Sequence, residues 1–142
     1  MSAKLNAMRH FKIKQLDYDL TPVAGLTGAW LRAACPMNAR ATGRQVPMTP
    51  PLARDLARID ALWSGCRRDQ GGLGPWLFGA FSVADAMYAP VALRLRTYGL
   101  PLSSLATRYL DTMLGDALLR EWIDAACRET QVIPHEEAGA GA

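Results

Sequence analysis

Apolar residues recur along this chain at helical rather than strand-like spacing. Leu52, Leu56, Ile59, Trp63 and Cys66 follow one another in alternating steps of four and three, which lays one apolar stripe along a helix. Thr49 before Pro50-Pro51 supplies its N-cap and a first turn in which a missing N–H costs nothing. The next helix opens at Ser82, with Asp85 three positions on. In that register the Ser82 hydroxyl accepts from the Asp85 N–H while the Asp85 carboxylate reaches back to the Ser82 N–H, a capping box with Asp in place of Glu or Gln. The carboxylate also faces the positive end of the helix dipole. From Val83 to Leu95 almost no polar face follows until Arg94 and Arg96, the pattern of a core helix wrapped by others. Pro90 removes one backbone donor inside it and predicts a kink between Ala86 and Pro90.

Shorter helices fill the rest. Ser103 or Ser104 caps one carrying Leu105, Tyr109 and Met113. Asp116 caps a last one with Leu119, Trp122, Ile123 and Ala126, stopped by Pro134. Thr21-Pro22 opens a first helix through Trp30 to Ala34, ended by Pro36, in which Gly25 and Gly28 cost about 1 kcal/mol each. About five helices joined by short loops predict an all-α bundle. The expected organisation is an atypical N-terminal segment over 1–20, a helical domain over 21–133 and a disordered tail over 134–142.

Composition narrows the function classes. Sixteen basic against thirteen acidic residues leave a net charge of +3, and the arginines are scattered rather than striped, which argues against nucleic acid as a partner. No stretch approaches the roughly 18 apolar residues of a membrane span. Cys35, Cys66 and Cys127 are odd in number and in no CxxC spacing, so they read as small buried thiols in a reducing, cytoplasmic setting rather than as a metal site or disulfide frame. His10 and His135 stand at opposite ends, with no triad or ligand cluster around either. Gly71-Gly72-Leu73-Gly74 lacks the Lys-Ser/Thr and the preceding strand of a phosphate loop and reads as an interhelical loop. Lys4, Lys12 and Lys14 all fall in the first 14 residues, whereas every Lys or Arg beyond residue 30 is Arg. That switch is read in two ways, as chance in a small count or as the boundary of a foreign start, which a misplaced start, a frameshift or a gene fragment would leave.

Several segments carry a resemblance. Gly79, Phe81-Ser82-Val83-Ala84-Asp85 and Ala89-Pro90 resemble the capping-box segment that opens the central helix of the glutathione S-transferase C-terminal domain. Trp30-Leu31-Arg32 with Cys35-Pro36-Met37-Asn38-Ala39-Arg40 is similar to the end of the first long helix in a bacterial group of these enzymes. Arg58 to Trp63, Gly74 to Gly79, Arg96 to Gly99 and Trp122-Ile123 fall in the matching order, from about Leu26 to Thr130.

The resemblance implies glutathione as co-substrate and a small apolar electrophile as partner, joined by thiolate attack, with a homodimer left open. It places the electrophile pocket on the first helix and the following loop, which correspond to Trp30, Met37, Asn38 and Arg40; Ser82 and Asp85 are the structural N-cap. In the family a thioredoxin-like domain holds glutathione and activates its thiol. Residues 1–25 cannot be that domain, since one βαβ unit takes about 30 residues. No catalytic, glutathione-binding or metal residue is therefore assigned, and no conjugation is expected of the 142 residues alone. The alternative is a non-catalytic helical module that binds a protein or an apolar ligand. Such a module would present a polar surface where a transferase fragment leaves an apolar patch.

Overall fold

The computed structural model describes residues 29–134 and 137–139. Five α-helices carry the fold: α1 (Ala29–Ala34), α2 (Pro50–Gln70), α3 (Val83–Tyr98), α4 (Ser104–Gly115) and α5 (Ala117–Arg128), with a 3₁₀ turn at Gly71–Leu73. Among the described residues the only β pairing is two isolated bridges, Trp76 with Gly79 and Phe78 with Ala80. The fold is all-α, as the apolar spacing predicts. The proposed 1–20 segment and the Thr21-Pro22 helix start lie outside the described residues.

α2 begins where its punctuation places it. Thr49 is extended and its hydroxyl accepts from the Leu52 N–H, with Pro50-Pro51 in the first turn. Leu52, Leu56, Ile59 and Trp63 are buried and Cys66 is half-buried, so the stripe is the buried face. It packs on α1 and α4, while α4 in turn meets α3 and α5. Ser103 caps α4 by accepting from the Ala106 N–H, and Asp116 caps α5 by accepting from Leu118 and Leu119.

α3 is the core helix. It is buried almost continuously from Ala89 to Tyr98 and runs through Pro90 without a break. Gly99 ends it in the left-handed conformation at φ 57°, where Leu100 N–H closes back on Leu95 O at 3.1 Å. At its start the Asp85 carboxylate accepts from the Ser82 N–H at 2.8 Å and the Ser82 hydroxyl at 2.9 Å. The same carboxylate, fully buried, also accepts from the Leu77 N–H at 3.1 Å and the Tyr109 hydroxyl at 2.9 Å. Asp85 thus joins a helix cap, the preceding hairpin and α4 at one point. Burial, and then the Asp85 charge, push the Tyr109 hydroxyl far above its ordinary range. Trp63 stacks edge-on against Tyr109 (4.8 Å, 81°) and Tyr88 (5.4 Å, 89°) beside it.

Two boundaries differ from the pattern. α5 ends at Arg128 rather than running on to Pro134: Glu129 is extended and its N–H closes on Ala126 O. Thr130, Val132 and Ile133 are β-branched and lose side-chain freedom in a helix, so the chain leaves it early. At α1, the Trp30 and Leu31 N–H groups donate to the buried Asp55 carboxylate at 2.9 and 3.0 Å. A residue of α2 therefore caps α1 from across the helix pair.

Candidate functional site

The side chains at the C-terminal end of α3 grip the loop after α1. Arg94 Nε donates to Cys35 O (2.9 Å), the Tyr98 hydroxyl to Pro36 O (3.0 Å), Thr97 Oγ1 to Asn38 O (2.9 Å) and an Arg96 N–H to Ala39 O (3.2 Å). The Arg44 N–H returns a bond to Thr97 O at 3.0 Å. Inside the loop, Asn38 Oδ1 accepts from the backbone of Arg40 and Ala41, an Asx turn. Cys35 lies under this frame; burial pushes its thiol up to about 11 against a smaller downward pull from Arg94, which leaves it inert at neutral pH.

The loop so held is one wall of a groove of about 350 Å³. Met37, Asn38, Ala39 and Arg40 face Trp122, Ala125, Ala126 and Glu129 of α5 and its exit, and Gln131, Val132, Ile133 and Glu137 close the third side. Glu137 is drawn in by several donors. Asn38 Nδ2 donates to its carboxylate at 2.9 Å, the Arg44 guanidinium pairs with it closely, and Arg40 stands at 4.0 Å. Arg44 also donates to Glu137 O at 3.2 Å, and the Gln45 N–H to Gly139 O at 3.3 Å. Glu137 and Gly139, in the stretch expected to be a disordered tail, are thus tied to the loop. The Arg40 guanidinium donates to Glu129 O at 3.4 Å, a long bond that leaves it the least committed cation of the group.

The structure brings together Met37, Asn38 and Arg40 but not Trp30. Trp30 sits on α1, 54% exposed and outside the groove. Trp122, Val132, Ile133 and Glu137 join the site without having been singled out for it. Trp122 reads from sequence as core because it shares a stripe with Leu119. Glu137 lies 99 residues from Asn38 and carries no local signal at all. Val132 and Ile133, both about half exposed, have the clearest trace: two large apolar residues together just past a helix.

A separate hairpin precedes α3. Trp76 and Gly79 exchange backbone bonds at 3.2 and 3.1 Å, and Arg67 donates to Gly74 O at 2.7 Å and to Trp76 O. Leu73, Phe78 and Val83 are exposed around it (73%, 51% and 70%).

A capped central helix inside an all-helical bundle, entered through a glycine-bounded hairpin, defines the class. The chain belongs to the glutathione S-transferase C-terminal domain family, which matches residues 48–125. No curated protein and no solved structure gives a significant match. Among the described residues no helix is long and apolar enough to cross a membrane, and no group of three or more His, Cys, Asp or Glu is placed to hold a metal ion.

Proposed function

We propose that this chain acts as the electrophile-binding half of a glutathione transferase, with the groove between the 37–40 loop and α5 holding a small apolar substrate. The observation that carries the reading is the groove itself, built beside the family-matched region from an apolar floor and a few fixed polar groups. Met37, Trp122, Val132 and Ile133 would cover the substrate's apolar body, while Asn38 and Arg40 orient it.

The described lining holds no Ser, Tyr or Cys to stabilise a glutathione thiolate. The groove therefore does not fit glutathione. Thiol activation belongs to a thioredoxin-like domain, in which glutathione supplies the nucleophile, and the present residues bind and exclude water from its target. The exposed Leu73, Phe78 and Val83 favour this reading over a stand-alone module, whose surface would be polar there. The three cysteines are free of disulfides, which suits a reducing, cytoplasmic setting.

The test is glutathione-dependent conjugation of 1-chloro-2,4-dinitrobenzene by the purified 142-residue chain, alone and fused behind a family thioredoxin-like domain. Turnover is expected only in the fusion, with Trp122→Ala raising KM more than it lowers kcat. Robust turnover by the chain alone, or a fusion indifferent to Trp122→Ala, would sink the reading.

A further inference from the structure

The donors around Glu137 are a carboxylate receptor already filled by the chain's own side chain. Asn38 Nδ2 and the Arg44 guanidinium bind the Glu137 carboxylate directly, and Arg40 faces it at 4.0 Å from the groove side. An amide and two guanidiniums converging on one carboxylate is the arrangement that recognises acids in general. Glu137 itself is half-buried, at 24% side-chain exposure, so the receptor borders solvent through the groove.

We infer that the groove takes a small amphipathic monocarboxylate. Its acid group takes over Asn38 and Arg40 from Glu137, and its apolar body lies on Met37, Trp122, Val132 and Ile133. Displacing the Glu137 side chain does not dissolve the wall, because Arg44 holds the same residue through its main-chain carbonyl at 3.2 Å and Gln45 holds Gly139. The groove, about 350 Å³, leaves room for the apolar body of a small acid. The inference rests on the proposed function only in calling the bound acid a substrate or substrate analogue; binding is measured without any reaction, so either can fail alone.

The probe is 4-phenylbutyrate, with 4-phenylbutyramide as its neutral twin, titrated into the full chain and followed by ¹H–¹⁵N spectra. The acid is expected to shift the Asn38 side-chain amide and the Trp122 indole N–H saturably, and the amide to leave both unmoved. Glu137→Gln, which weakens the internal competitor, is expected to tighten acid binding at least tenfold. Arg40→Gln is expected to weaken it at least tenfold while leaving the remaining spectrum in place. Equal binding of acid and amide, an Arg40→Gln variant that binds as before, a Glu137→Gln variant that binds no tighter, or no saturable shift in either background would each overturn the proposal.

Discussion

Replacing Asp85 with alanine removes one acceptor from four donors at once. Two of them, the Leu77 N–H and the Tyr109 hydroxyl, are buried away from solvent. Each orphaned donor costs about 1–3 kcal/mol, and the lost helix cap adds about 1. The sum, about 3–7 kcal/mol, is comparable with the whole stability of a small domain, typically about 5–15 kcal/mol. Tyr109→Phe keeps the ring against Trp63, deletes one donor and leaves the carboxylate three partners, so about 1–2 kcal/mol is expected. In the double variant the orphaned hydroxyl is gone. The two losses should therefore fall short of additivity by about 1–3 kcal/mol. Urea unfolding followed by far-UV circular dichroism measures all four corners of this cycle. An Asp85→Ala loss below about 1 kcal/mol, or additivity within about 0.5, refutes the idea that this carboxylate ties the bundle together.

Three further expectations follow from single features. Thiol labelling in the native state should modify Cys127 first, then Cys66, with Cys35 protected until unfolding; Cys127 is exposed, Cys66 half-covered and Cys35 fully buried. Because burial raises Cys35 from 9.0 to about 11, its neutral form is favoured in the fold, so its stabilisation is complete below pH 9 and fades between pH 9 and 11. Cys35→Ala should flatten the stability–pH slope in that window, although Tyr88 and Tyr109, raised in the same direction, leave part of it. Asp55→Ala should accelerate amide exchange at Trp30 and Leu31 and destabilise the domain by about 1–3 kcal/mol in urea unfolding, since two N–H groups lose their acceptor. Gly74→Ala should destabilise the hairpin by at least about 2 kcal/mol by the same measure: the residue sits at φ 146°, and a Cβ there would lie 2.3 Å from Gly79 O.

Local chemistry made much of the fold legible. Thr49, Ser82, Ser103 and Asp116 each cap the helix their position predicts, because an N-cap needs only its own side chain and the next turn. The α2 stripe is readable for the same reason: burial follows periodicity within one element. What escapes is whatever joins residues far apart. Asp55 reads as one more polar position on α2, yet its partners lie 24 and 25 residues upstream. The Asp85 cap is visible, but its bond to Tyr109 is not, since nothing in either neighbourhood encodes α3 meeting α4. The loop residues Met37, Asn38 and Arg40 follow from family position, whereas Glu137 and Trp122 meet them only through tertiary packing. Trp30 shows the converse: a large aromatic in the right segment that the fold points elsewhere.

The grip of α3 on the 35–39 loop acts on main-chain carbonyl oxygens, at Cys35, Pro36, Asn38 and Ala39. Every amino acid carries that group, so the grip itself makes no demand on which side chains project from the loop; the Asn38 turn is the one described contact that does. Scaffold and recognition are written in different atoms of the same residues. Met37 and Arg40 can be exchanged while the backbone stays clamped in place, and the groove is therefore a surface whose preference can drift, by selection or by a combinatorial library, without renegotiating the fold beneath it.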